Sequence, residues 1–231
     1  MSEITPAEWT AILLSLRVAV IATLVATPFG IALAWLLARY NFWGKSVLDA
    51  LVHLPLVLPP VVTGYLLLLT LGRRGLIGAW LADNLGIVFA FRWTGAALAC
   101  GVMSFPLLVR PIRLSIEAID RRLEQAASTL GAAPWRVFAT VPLPLALPGI
   151  LAGMVLGFAK AIGEFGATIT FVSNIPGETQ TISSAIYSLI QTPDGDAAAG
   201  RLVIISIVIA MAALIASEWF ARRALQRLHG N

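Results

Sequence analysis

Lys160 and Glu164 are the residues whose type and spacing come nearest to chemistry in this chain. On a helix, positions i and i+4 share a face and can form an ion pair. Ionisable groups inside a membrane span are candidates for function, because a charge there is expensive to keep. Counted from Pro144, twenty residues at about 1.5 Å each reach about 30 Å, the thickness of the hydrocarbon core. Glu164 is therefore expected near the outer surface, where an interfacial ion pair accounts for both residues. The run Glu164-Phe165-Gly166-Ala167-Thr168 sets a glycine beside an aromatic ring and a hydroxyl, and could line a mouth or a pathway.

Other chemistries lack their groups. His53 and His229 are the only histidines, one at the edge of an apolar run and one in the tail, and no His/Glu set suits a metal. Asp194-Gly195-Asp196 reads as a turn. No glycine-rich loop ends in Lys-Ser or Lys-Thr, so the chain is not expected to bind ATP itself. The single cysteine, Cys100, lies in an apolar run and reads as a small buried hydrophobe. An intramembrane enzyme would lack its catalytic groups. A self-contained secondary transporter would need ion-coupling carboxylates at the midplane, and the apolar windows hold none.

The elements that must position these residues are membrane helices. The 231 residues are 58% hydrophobic and only 12% charged, against about 25% charged in soluble domains. Five charge-free windows stand out: Val18 to Ala38, Leu54 to Gly72, Trp93 to Val109, Val137 to Ala159 and Leu202 to Ser217, the last extended by Trp219 and Phe220. A spanning helix needs about 20 residues, so an all-α integral membrane protein of about five spans is expected, forming one domain over 1–231 with a core at about 9–220. Phe165 to Gly177 is too short to span. With Thr179 to Pro193 it reads as the end of helix four, a loop and a short interfacial helix; any non-helical backbone at membrane depth must be covered by protein or line a wet cavity. Pro28, Pro55, Pro59, Pro60, Pro106, Pro144 and Pro148 can each kink a span, and Gly149, Gly153 and Gly157 share a face suited to close helix packing.

Orientation follows the basic residues. With the N-terminus outside and the C-terminus inside, the inner side carries Arg39, Lys45, Arg110, Arg113, Arg121, Arg122, Arg136, Arg222, Arg223 and Arg227. The outer side carries Arg17, Arg73, Arg74, Arg92, Lys160 and Arg201. Basic residues concentrate in cytoplasmic loops. This topology also accounts for the net charge of +4 without nucleic acid. No basic n-region precedes the first apolar run, so that run reads as a retained span rather than a signal peptide.

The segment 120–144 is then a cytoplasmic island. Asp120 suits a helix N-cap, and Leu123, Ala126, Ala127 and Leu130 form a narrow apolar face. Gly131 suits a left-handed helix end and Pro134 the first turn of a second helix, with Trp135 and Phe138 on one face. Two short helices at an angle result. The island either docks a partner, which the small residues would let approach, or rests on lipid headgroups.

Its spacing resembles the EAA loop of ABC importer permeases: Gln125-Ala126-Ala127, three residues, Gly131, nine residues, then Val141-Pro142-Leu143-Pro144. Gln125 stands where that pattern has glutamate, with Glu124 beside it, and Val141 where it has isoleucine. The runs HLPLVLPPVVTGYLLL from His53, GRRGLIG from Gly72, VMSFPLLVR from Val102 and GEFGATITFVSNIPGETQTI from Gly163 are similar to the molybdate branch of that family, with sulfate and tungstate permeases as near relatives. The resemblance implies a non-enzymatic permease that moves molybdate across a bacterial inner membrane as a homodimer. A periplasmic molybdate-binding protein would deliver the anion and cytoplasmic ATPase subunits would hold the ATP and Mg; this chain would bind no cofactor. It further implies an ATPase-coupling set of Glu124, Gln125, Ala126, Ala127, Leu130, Gly131, Trp135, Leu143 and Pro144. Pathway candidates are Ser104, Phe105, Pro106, Lys160, Glu164, Phe165, Gly166 and Thr168.

The orientation has a direct check. A cysteine at Ser128 is expected to react with an impermeant thiol reagent only after the membrane is opened; labelling in intact cells would reverse the assigned topology.

Overall fold

Thr5 starts the first helix. Its hydroxyl accepts from the Glu8 N–H while the Glu8 carboxylate accepts from the Thr5 N–H, a reciprocal capping box. From there α1 (Pro6–Arg39) runs 34 residues, through Pro28 without a break. It outruns the expected window because Arg17 does not end it: the guanidinium lies 3.8 Å from the centre of the Trp93 ring, and the aromatic face accommodates the charge. The structure is a computed structural model that describes the backbone of residues 4–229, with no side chains at 217, 218 or 220–231. Glu218, Phe220, Arg222, Arg223, Arg227 and His229, invoked above for span ends and tail charge, lie outside the described side chains.

The second window is not one helix. α2 (Lys45–Val57) and α3 (Pro60–Leu71) are bent by 114° at Pro59-Pro60. Consecutive prolines remove two donors and push the preceding residue away from helical geometry. An unanticipated short helix, α4 (Leu76–Leu85), follows. Next, α5 (Trp93–Glu117) contains Pro106 and Pro111 and continues past its window. Arg113 extends it by pairing with Asp49 of α2 and Glu117, each at 2.8 Å. Then come α6 (Arg121–Thr129), α7 (Pro134–Thr140), α8 (Pro142–Leu145) and α9 (Leu147–Ile162). The fourth window is thus also broken: the stretch ending at Leu145 is bent by 69° from α9.

The last part is α10 (Gly166–Val172), α11 (Ile182–Leu189) and α12 (Asp196–His229). Helices α1, α5 and the Asp196–Ala216 part of α12 are long and apolar enough to span, and the count reaches five if each bent pair is one span. Among the described residues no strand occurs.

The expected interfacial helix within 165–193 is instead folded into the bundle. Phe171, Val172 and Ile182 are fully buried. The threonines and serines serve the irregular backbone between α10 and α11. The Thr179 hydroxyl accepts from the Ile175 N–H at 2.9 Å and donates to the Ser173 carbonyl, and the Ile182 N–H donates 2.7 Å to Ser15 Oγ on α1. Non-helical backbone is kept away from lipid by such satisfaction inside protein.

At the centre, α5 packs most extensively against α1 and α9. The glycine face holds as read. A Cβ added to Gly149 would lie 2.4 Å from the Ser115 Cβ, and one at Gly153 would lie 2.5 Å from the Leu108 carbonyl oxygen. Gly153→Val is therefore expected to destabilise the protein by about 1–3 kcal/mol, seen as a lower melting temperature in detergent. Gly101→Ala, whose Cβ would meet nothing closer than 3.8 Å, should melt like wild type. Equal melting of the two variants would remove the close α5–α9 contact.

Candidate functional site

Local rules place the island as read. Asp120 Oδ1 accepts from the Arg122 N–H at 2.9 Å and starts α6. Gly131 turns the chain at φ +80°, a conformation open to glycine at little cost, and Pro134 opens α7. The result is an elbow in which α6 buries no residue.

The elbow has two faces. Inward, Glu124 lies 2.5 Å from Arg39 at the end of α1, with side chains 17% and 7% exposed. Arg39 also donates to the Ile119 carbonyl at 3.2 Å, and Arg121 donates to the Ala38 and Arg39 carbonyls at 3.4 Å. Phe138 meets Trp35 edge-on, ring centres 4.9 Å apart, and Val137 is buried. Outward, Gln125, Ala126, Gly131, Leu130 and Trp135 are exposed, Leu130 at 88% and Trp135 at 67%. Ala127, Leu143 and Pro144 are half-buried, the last two in the short α8 that leads to α9.

One expectation changes. Trp135 and Phe138 do not share an environment: Phe138 packs on α1 while Trp135 is exposed beside Arg136. Glu124 points into the protein, beside an exposed Gln125. No local signal could have revealed its partner, which lies far back along the chain at the end of another helix.

The second candidate group sits at the junction of α9 and α10. Lys160 Nζ is 2.6 Å from Glu164 Oε2, and Glu164 Oε1 accepts from the Ala167 N–H at 3.0 Å. Glu164 is 1% exposed, so it is packed inside the chain. The straight count from Pro144 does not apply, because the chain is bent by 69° before α9. Neighbouring Ala161 is level with Cys100, whose thiol donates to the Ala161 carbonyl at 3.5 Å, about 10 Å along α5 from its start.

Around the pair, Thr168 donates to the Phe165 carbonyl at 2.9 Å, the Phe165 ring meets Tyr187 at a 40° tilt and Gly166 abuts Pro60. Ser104 is buried opposite Gly157, one turn below, and Pro106 is buried. Phe105 is not part of this group. It lines a separate apolar cavity of about 680 Å³ with Val25, Phe29, Val52, Pro55 and Trp93. Among the described residues no cluster of three or more metal-binding side chains occurs.

The two ends of α1 carry different machinery. Glu8, at its start, holds Arg201 of α12 at 2.8 Å; Arg39, at its end, holds the elbow. The elbow and the N-terminus therefore lie at opposite ends of the bundle.

Comparison with known proteins adds identity to this geometry. The sequence profile of binding-protein-dependent transport system inner membrane components matches residues 26–227. The chain is 63% identical over 224 residues to the molybdenum transport system permease protein ModB of Escherichia coli K12, covering 97% of this chain and 98% of that protein. It is 58% identical over 225 residues to ModB of Haemophilus influenzae, with the same coverage. Its fold is similar to a chain of the bacterial alginate ABC transporter solved with a pentasaccharide-bound periplasmic protein. There the TM-score is 0.75 at 19% identity, covering 95% of this chain and 80% of that one.

The inward face yields a stability test. Glu124→Ala leaves a nearly buried guanidinium without its carboxylate and is expected to cost about 1–3 kcal/mol. Glu124→Gln keeps an acceptor and should cost less. Melting temperatures of the two variants in detergent measure the difference, and no loss in either would show that the pair contributes nothing.

Proposed function

The chain belongs to the family of binding-protein-dependent transport system inner membrane components, and from that premise we propose that it is the permease of an ABC importer that carries molybdate inward. Full-length similarity to the molybdenum permeases at 63% and 58% identity supports the cargo. The single structural observation behind the mechanism is the elbow. It presents Leu130 and Trp135 to solvent while its inner face is tied to α1 through Glu124 and Arg39.

In this reading two copies of the chain sit in a bacterial inner membrane, each crossing it five times with α2–α3 and α8–α9 as bent spans. The N-terminus faces out and the C-terminus in. A periplasmic molybdate-binding protein delivers the anion. Two cytoplasmic ATPase subunits receive the elbows in their surface clefts and hold the ATP and Mg; the permease binds neither.

Exposed apolar groups on a short polar helix suit such a seat, because their burial against a partner is favourable. When ATP draws the ATPases together, the elbow moves with them. The Arg39 pair carries the displacement into α1, and α8 carries it into α9. Transmission of this kind needs contacts that differ between two states of the permease. The two bends, at Pro59-Pro60 and before Leu147, are breaks about which such states can differ.

ATP-dependent uptake into vesicles holding the permease, its ATPase and its binding protein tests this. Labelled molybdate should enter only with ATP, and excess tungstate should compete better than excess sulfate. Preferential uptake of sulfate would transfer the cargo to the sulfate branch. In the same vesicles Gly131→Glu should abolish uptake; because residue 131 sits at φ +80°, where any side chain strains the turn, Gly131→Ala is the control, carrying the same strain without the charge, and should keep most uptake. Normal uptake by the Gly131→Glu variant would remove the docking role of the elbow.

A further inference from the structure

Lys160 lies on a stripe of α9 that this chain covers only in part. Opposite α5 the helix is glycine: Gly149, Gly153 and Gly157 are buried. In i+4 steps on another face come Ala152, Leu156 and Lys160, of which Leu156 is 42% exposed and the Lys160 side chain 30% exposed. An ammonium on an uncovered face of a membrane helix is not stable against hydrocarbon and marks a wet cavity or a polar pathway. The Lys160 side chain reaches past the C-terminal end of α9. It folds onto Glu164, which is itself 1% exposed and fixed by the Ala167 N–H.

The hydrogen-bond count points the same way. An ammonium has three donors. Glu164 takes one of them, and among the described residues no other acceptor in this chain takes the remaining two. Those donors are free for a ligand on the uncovered side. The turn that carries Glu164 is packed against its neighbours: Phe165 meets Tyr187 at a tilt, ring centres 5.0 Å apart, and Gly166 abuts Pro60.

Resting on the importer reading, we propose that Lys160 is a station for the tetrahedral oxyanion inside the passage. Its ammonium donates hydrogen bonds to the dianion as it crosses. Glu164 holds the side chain in position and offsets its charge. The offset is functional, because a site on a conduction route must bind well enough to admit the ion and weakly enough to release it. A bare lysine in the same place would retain a dianion too long.

The test uses the complete transporter in vesicles, with ATPase and loaded binding protein. The double variant Lys160→Gln/Glu164→Gln removes both charges but keeps a neutral hydrogen-bonded pair, so a merely structural role for the ion pair would leave transport intact. We expect it to assemble, to retain stimulated ATP hydrolysis within about twofold, and to lose molybdate uptake by about tenfold or more. Lys160→Arg, which keeps a cation, should retain most uptake. The station is overturned if the double variant transports like wild type, if it fails to assemble, or if ATP hydrolysis falls in parallel with uptake. Failure of the wild-type protein to take up molybdate, tungstate or sulfate would instead defeat the importer reading, and the station with it.

Discussion

One ion pair joins the part of this protein that faces water to the part that faces lipid. Arg39 ends the longest described stretch of apolar helix and holds Glu124, in the first turn of α6. That tie acts together with the Arg121 bonds to the Ala38 and Arg39 carbonyls. With it, and with Phe138 wedged on Trp35, a displacement of α6 is a displacement of α1. An acid in the first turn also complements the helix dipole, so one residue serves both the start of α6 and its anchorage.

The rest of the bundle is arranged around how closely α5 can be approached. At Gly149 and Gly153 the α9 backbone lies against side-chain and carbonyl atoms of α5, and Gly64 likewise admits the Ala167 backbone, its added Cβ falling 2.4 Å from the Ala167 carbonyl oxygen. Lipid supplies no hydrophobic force between helices, so this close packing and a few polar ties carry the association. Glu8 with Arg201, Asp49 with Arg113 and Lys160 with Glu164 are such ties. Each lies at or near the end of a helix, leaving the mid-depth contacts apolar.

What could be read from residues alone was what depends on near neighbours. Asp120, Gly131 and Pro134 define the elbow through rules that act within a turn, and each is where those rules put it. The glycine stripe on α9 was legible for the same reason. The bends were half legible: Pro59-Pro60 announced a break, but a charge-free window reads the same whether its helix is straight or folded by 114°. Arg17 and Arg110 were taken as helix boundaries, whereas α1 and α5 run through both, with Trp93 beside Arg17 and with Asp49 and Glu117 pairing Arg113 one turn further on. The burial of α10 and α11 and the Arg39–Glu124 pair were not legible, because they are made by residues far apart in the chain. The outward direction of Gln125, beside an inward Glu124, follows only from that pair.

The division of the elbow into an inner anchored face and an outer docking face can be measured directly. Amide hydrogen exchange of the permease in detergent, with and without its ATPase partner, reports it residue by residue. Binding should slow exchange across residues 121–140 and leave the N-terminal end of α1, at the opposite end of the bundle, unchanged. Unaltered exchange at the elbow, with protection appearing elsewhere, would show that the ATPase does not dock there.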